Sequence, residues 1–267
     1  MKILIRGAGD IATGIALRLY RAGMQVVMTD LPAPTAIRRT VCFSQAIILG
    51  EMTVEDVTAR RAETPDRAEA LLAQGLIPVL ADPDCTCRTR LRPDALVDAI
   101  LAKRNLGTKM DDAPIVVGIG PGFTAGEDCH AVVETMRGHT LGRVIYRGSA
   151  LPNTNIPGLI GGYAGERVLR APAEGIFCQK LEIGAVVRAG DIAGEVAGQP
   201  MRCTIDGVLR GILADGTPVF RGMKAGDVDP RCKPEYCITA SDKALAVGGG
   251  VLEAVLHLHH QHPKTGK

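Results

Sequence analysis

Two glycines, an alanine and an aspartate near the start of the chain have the types and spacing of a phosphate-and-ribose receptor. They read Gly7-Ala8-Gly9-Asp10-Ile11-Ala12, followed later by Asp30. In this pattern Gly7 permits a tight turn, Gly9 lets a pyrophosphate approach the backbone, and Ala12 lets a helix lie close to a strand. The helix N-terminus adds N–H groups and partial positive charge, and an acid about 20 residues on accepts hydrogen bonds from ribose hydroxyls. Asp10 falls in the first helical turn, where it suits the helix dipole but crowds an anionic ligand.

A second glycine run, Gly118-Ile-Gly120-Pro-Gly122-Phe-Thr124-Ala-Gly126, follows another apolar stretch. It is expected to join a strand to a helix over 128–137 and to face the same crevice. The alternative is that Gly118, Gly120 and Gly122 only serve turns. Arg137 and His139, at the end of that expected helix, are weak catalytic candidates. They could bind phosphate or move a proton, or simply place charge at a helix C-terminus. Arg38 and Arg39 form a looser candidate for an anionic ligand or partner.

The cysteines are weighed as metal ligands. Cys85 and Cys87 with Cys232 and Cys237 would supply four thiolates, but the spacing misses the usual C-x2-C knuckle. No metal site is expected. The tail histidines His257, His259, His260 and His262 could chelate a metal adventitiously, but the favoured reading is a frayed surface helix end.

These residues need elements to position them. The apolar run 2–6 reads as a buried strand, and Ile11, Ile15 and Leu19 line one face of a helix that Gly23 stops. A second strand over 25–29 precedes Asp30. Thr64 and Pro65 open a helix ending near Gly75, and strands follow over 76–80, 114–118 and 143–146. Residues 95–101 fit a strand or a short helix. A last helix is expected over 241–262, where Gly248-Gly249-Gly250 permits close approach of a neighbour.

The composition is that of an ordinary globular chain: of 267 residues, 46% are hydrophobic and 22% charged. With no Trp and a formal net charge of +2, it has neither stacking platforms nor a phosphate-tracking field, so no nucleic-acid partner is expected. No stretch approaches the roughly 18 apolar residues of a spanning helix, and the start lacks a signal peptide's apolar core. A cytoplasmic location with reduced thiols is the expectation.

After about residue 166 the texture changes to short apolar runs with regularly placed glycines, such as Gly190-Asp191-Ile192 and Gly226-Asp227-Val228. Two similar β-rich halves resemble the barrel-sandwich of biotinyl and lipoyl carriers. The hairpin that would carry the acceptor lysine reads Gly198-Gln199-Pro200-Met201-Arg202, without lysine, so a docking or structural module is expected. The expected fold is therefore α/β: a Rossmann-like nucleotide-binding domain over 1–165, a small β barrel-sandwich domain over 166–240, and a C-terminal helix and tail over 241–267 packing back on the first domain.

Longer strings are more specific. They include Arg6-Gly-Ala-Gly-Asp-Ile-Ala-Thr-Gly14, Pro34-Thr-Ala-Ile-Arg-Arg-Thr40, Ala99-Ile-Leu-Ala-Lys-Arg-Asn-Leu-Gly107, Glu134-Thr-Met-Arg-Gly-His139, Pro152-Asn-Thr154 and Ser241-Asp-Lys-Ala-Leu-Ala-Val-Gly-Gly-Gly-Val-Leu-Glu253. With the second glycine run they resemble the YqeB-type accessory proteins of selenium-dependent molybdenum hydroxylase systems. The resemblance implies a role in maturing such a hydroxylase, with the enzyme or its cofactor as partner. It supplies no catalytic residues.

Two functions follow as expectations. One is an accessory protein holding a nucleotide-bearing cofactor, such as a molybdopterin dinucleotide. The other is an NAD-dependent oxidoreductase, which needs a proton-transfer residue, and His139 or His130 would have to serve. Natural ligand, reaction and oligomeric state are not written in these motifs.

Overall fold

The computed structural model describes residues 1–154 and 156–261, so His262 lies outside the described residues. The chain divides into two compact units. The first is Met1–Pro34, Cys42–Asn153 and Ala240–Lys267; the second is Thr35–Val41 and Thr154–Thr239.

In the first unit the apolar run forms β1 (Lys2–Arg6), the glycine turn follows, and α1 (Asp10–Arg21) leads to β2 (Gln25–Asp30). Next come α2 (Gln45–Leu49), β3 (Glu51–Val54), β4 (Val57–Arg61), α3 (Pro65–Leu72) and β5 (Ile77–Ala81). Thr64 caps α3: its hydroxyl accepts the Arg67 N–H at 3.2 Å. A one-turn α4 (Arg88–Leu91), β6 (Ala95–Asp98), β7 (Ile115–Ile119), β8 (Thr124–Ala125), β9 (Ala131–Val133), β10 (Val144–Ile145) and β11 (Gly148–Ser149) complete it, with α5 (Asp242–Gln261) from the far end of the chain.

Nine strands make one sheet in the order β10-β9-β7-β6-β1-β2-β5-β4-β3. Its interior pairs are parallel, and the edge pairs β9–β10 and β3–β4 are antiparallel. Side chains alternate across the sheet. Leu4, Val27, Leu96 and Val116 meet Leu71 and Leu72 of α3, Leu91 of α4, Cys85, Cys87 and Phe123 on one face. Ile3 and Ile5, fully buried, point to the other, where α1 and α5 pack together and α5 lies along β7 and β9.

The second unit holds β12 (Val168–Arg170), β13 (Gly175–Gln179), β14 (Val186–Val187), β15 (Ile192–Val196), β16 (Gln199–Arg202), β17 (Gly207–Ile212), β18 (Pro218–Val219) and β19 (Lys224–Asp229). They form two four-stranded antiparallel sheets, β12-β19-β17-β14 and β16-β15-β13-β18, around Phe177, Leu209, Ile212 and Val228.

The expected pairing of a Rossmann-like domain with a biotinyl- or lipoyl-like barrel-sandwich is therefore corrected. Only α1 and α3 cross between neighbouring parallel strands. β6 reaches β7, and β7 reaches β9, without an α-helix. The mixed sheet takes α5 as cover there, and the second unit is a pair of small antiparallel sheets. The helix expected over 128–137 is absent: residues 131–133 are β9. Valines 132 and 133 lose rotamer freedom in a helix and fit a buried strand instead. Asp128 does not cap a helix; its Oδ2 accepts the Thr124 N–H at 2.8 Å and closes the preceding turn.

A buried charge network ties the second unit together. Asp227 accepts from Arg167 at 2.9 Å and from Arg210 at 2.9 and 2.6 Å, while Asp229 accepts from Arg231 at 2.9 and 2.6 Å. Burial pushes the Asp229 carboxyl up, but bonds from Arg231 and the charges of Arg210 and Arg231 outweigh it and hold it below the usual range. A depressed carboxyl adds stability above its unfolded value of about 3.9, and that stability is lost as pH falls through the lower folded value. Amide exchange in β17 and β19, corrected for intrinsic rates, should therefore accelerate below about pH 4. Asp229→Asn should be less protected at neutral pH and respond less to acid; an equal acid response in both proteins would contradict this.

Candidate functional site: a buried arginine at the strand ends

The strongest polar constellation of the first unit starts from strand register. β1 and β6 run parallel with Arg6 opposite Asp98, so both side chains leave the carboxyl ends of their strands on the α3–α4 face. Arg6 is 7% exposed. Its Nε donates to the Pro83 carbonyl at 3.1 Å, and its Nη1 donates to Asp98 Oδ2 at 3.4 Å, the Leu106 carbonyl at 3.2 Å and Thr108 Oγ at 3.0 Å. The Thr108 hydroxyl donates to Asp98 Oδ2 at 2.6 Å. Among the described residues, Arg6 Nη2 donates to nothing.

Arg6 lines a cavity of about 180 Å³, together with Asp84, Cys85, Arg88, Leu106 and Asp112. The cavity shares Arg88, Gly107 and Asp112 with a wider surface depression of about 970 Å³. In open α/β sheets ligands sit at the carboxyl ends of the strands, where this cavity lies.

Local turns hold the lining in place. Asp82, just past β5, accepts the Cys87 N–H at 2.7 Å and the Thr86 hydroxyl at 3.0 Å. Arg88 donates to the Cys85 carbonyl at 3.1 Å and pairs with Asp112 at 3.0 Å. Asn105 holds the other side: its Oδ1 accepts the N–H groups of Gly107 and Thr108 at 2.9 and 2.8 Å. A hydrogen bond with Cys85, together with burial and nearby Asp82, pushes the Cys87 thiol far up, so it stays protonated at neutral pH.

The first glycine loop joins β1 to α1 as expected, while the second joins strands rather than a strand and a helix. At Gly7 (φ +106°) a Cβ would stand 2.8 Å from the Ala99 carbonyl oxygen, so this glycine serves the chain's own close packing. Gly9 has open space at its Cβ position, and Asp10 is half-buried at the start of α1, with Ala12 fully buried. Asp30 is turned to the backbone: its Oδ2 accepts the Ala8 N–H and its Oδ1 the Leu31 N–H, both at 2.7 Å. Burial pushes its carboxyl up against those two bonds.

In the second loop, a Cβ on Gly118 would stand 2.5 Å from the Phe123 ring. One on Gly120 would stand 2.6 Å from Thr135 Oγ, and one on Gly122 2.6 Å from the Arg104 backbone. At these three positions the protein itself occupies the space a side chain would need. Arg137 follows no helix; it makes a two-pronged bond to Asp242 of α5 at 2.7 and 2.8 Å, and His139 is exposed on a turn.

The remaining candidates also have structural partners. Arg38 donates to the carbonyls of Tyr236 and Thr239, and Arg39 to the Ile212 carbonyl and the Gln179 side chain. His130 Nδ1 accepts the Val116 N–H at 3.0 Å. Cys85 and Cys87 belong to the first unit, Cys232 and Cys237 to the second. Among the described residues no three His, Cys, Asp or Glu side chains group as metal ligands. His257 contacts Gln261 at 2.9 Å and the Tyr146 ring at 4.7 Å between centroids.

No protein-family model matches the chain. The protein described as "Uncharacterized protein YqeB" from Escherichia coli (strain K12) is 51% identical over 265 residues, 99% of this chain. The chain is a YqeB-type sequence. It spans 49%, about half, of that relative's length.

Several solved structures are distantly similar to the YqeB-type chain. A succinylglutamate desuccinylase/aspartoacylase from Rhodobacter sphaeroides is 26% identical over 24% of this chain and 22% of that one, with a TM-score of 0.21. An aspartoacylase family protein from Mesorhizobium loti is 13% identical over 55% and 60%, at 0.24. A succinylglutamate desuccinylase from Silicibacter is 13% identical over 85% and 84%, at 0.25. Likenesses this low carry no statement about this chain's chemistry. None of its helices is long and apolar enough to cross a membrane, among the described residues.

Sequence reasoning missed the Arg6 site because its members are scattered. Arg6 stands one residue before the glycine motif, and Asp98 ends a stretch that also fits a helix. Thr108 lies in a loop without a pattern. The available signal was a charged residue closing each of two apolar strands.

Proposed function

We propose that this YqeB-type chain is the small-molecule-binding part of a cytoplasmic accessory protein that serves a selenium-dependent molybdenum hydroxylase. The sequence strings shared with such accessory proteins support the system. The observation that carries the binding role is Arg6, a buried guanidinium that lines a cavity at the strand ends and whose Nη2 makes no hydrogen bond among the described residues. The protein itself satisfies Nε and Nη1, so Nη2 is the donor left for a ligand or water. The cavity, not the glycine loops, is the ligand's place. No observation favours a hydride-transfer enzyme, since His130 is engaged by the Val116 N–H and His139 sits on an exposed turn.

In a cell that makes such a hydroxylase, deleting the protein that carries this chain should lower hydroxylase activity while the hydroxylase polypeptide still accumulates. Wild-type protein should restore activity, and Arg6→Lys, which keeps the charge but loses the planar fork, should not. Undiminished hydroxylase activity in the deletion strain would sink this reading.

A further inference from the structure

We propose that the Arg6 cavity selects a zwitterion of amino-acid size, with its carboxylate on Arg6 and its ammonium facing Asp84 and Asp112. This rests on the binding role given above and adds the chemical class of the ligand. Arg6 lines the cavity and its Nη2 keeps its N–H donors, which can give charge-assisted hydrogen bonds to a carboxylate.

The second argument is charge balance. The lining carries two cations, Arg6 and Arg88, and two carboxylates, Asp84 and Asp112. A phosphate dianion would meet Arg6 but also face both carboxylates. A bare amine would meet the carboxylates but leave Arg6 Nη2 unpaired. A molecule carrying both charges satisfies both ends, and in a partly desolvated cavity an unmatched charge is penalised strongly.

Size and polarity agree with this choice. A cavity of about 180 Å³ suits a handful of heavy atoms, well short of a nucleotide. Leu96 and Leu106 belong to the lining, but the wall is mainly polar, which suits a small ligand with little apolar surface. Asp112 is already paired with Arg88 at 3.0 Å, which leaves exposed Asp84 as the principal acceptor for the ammonium.

The test is thermal melting of the whole chain with millimolar neutral L-amino acids, acetate, ethylamine and inorganic phosphate as probes. At least one amino acid should raise the melting temperature, with an apparent affinity at least about tenfold above that of acetate, ethylamine or phosphate. Asp84→Asn, an exposed change that keeps the fold, should weaken the response by about tenfold, and Arg6→Lys should abolish it. Phosphate or acetate acting as well as every amino acid would overturn the zwitterion assignment but leave the binding role standing. A response unchanged in Asp84→Asn would also overturn it. No response to any probe, with no small molecule retained by the purified protein, would overturn both.

Discussion

Replacing Asp227 with alanine is expected to destabilise the second unit by about 3–5 kcal/mol, the usual cost of removing one partner from a buried charge pair. Asp227 is 3% exposed and serves two guanidiniums at once, Arg167 and Arg210, which are 4% and 8% exposed. Arg210 would keep Asp229 at 3.2 Å and Arg167 would keep the Gly158 carbonyl at 3.1 Å, but each loses its best-placed bond. The effect should appear as faster amide exchange across β12, β17 and β19, the strands that meet at this network. The first unit's sheet should be unaffected. Exchange in β19 within a factor of two of wild type would mean that the network contributes little.

The glycine run of α5 gives the second prediction, with opposite signs at adjacent positions. A Cβ at Gly250 would lie 2.2 Å from the Gly142 carbonyl oxygen and 2.8 Å from Val133 Cγ1. Neither atom sits on a long side chain that can swing away, so Gly250→Ala should cost about 1–3 kcal/mol or more. Gly249 is exposed with nothing near its Cβ position, so Gly249→Ala should gain about 0.5–1 kcal/mol from helix propensity alone. Urea unfolding followed by far-ultraviolet circular dichroism compares the two variants with wild type. If both alanines stabilise, α5 does not press against the 142 turn as described.

Some of this was legible in the sequence, for identifiable reasons. The strand, glycine turn and helix at residues 2–21 follow from a short apolar run, positive-φ chemistry at Gly7 and a 3.6-residue apolar period. Gly248-Gly249-Gly250 does mark a close approach: a Cβ on Gly248 would stand 2.8 Å from the Gly14 carbonyl oxygen of α1. The inference from glycine spacing to ligand has a competing structural explanation in the second loop. Gly118, Gly120 and Gly122 are glycines because Phe123, Thr135 and Arg104 occupy the space a side chain would need. Spacing alone does not distinguish room kept for a phosphate from room taken by the chain itself. The helix expected over 128–137 failed because neighbouring strands β7 and β10 recruit valines 132 and 133 into the sheet. The overall fold class failed for a related reason, since helices expected between later strands are replaced by loops and by α5. The Arg6 site depends on the Arg6–Asp98 register and on the loop that returns Thr108, neither of which is a local property.

Native mass spectrometry of the protein isolated without denaturation tests the central claim, that the Arg6 cavity holds a small molecule. The account predicts a wild-type species heavier than the polypeptide, which loses one small molecule on mild activation. Arg6→Lys should show the bare polypeptide mass under the same conditions, while Gly9→Val, altered at the open N-terminal loop, should retain the molecule. A molecule retained equally by wild type and Arg6→Lys but lost from Gly9→Val would contradict the account and return the ligand to the glycine loop.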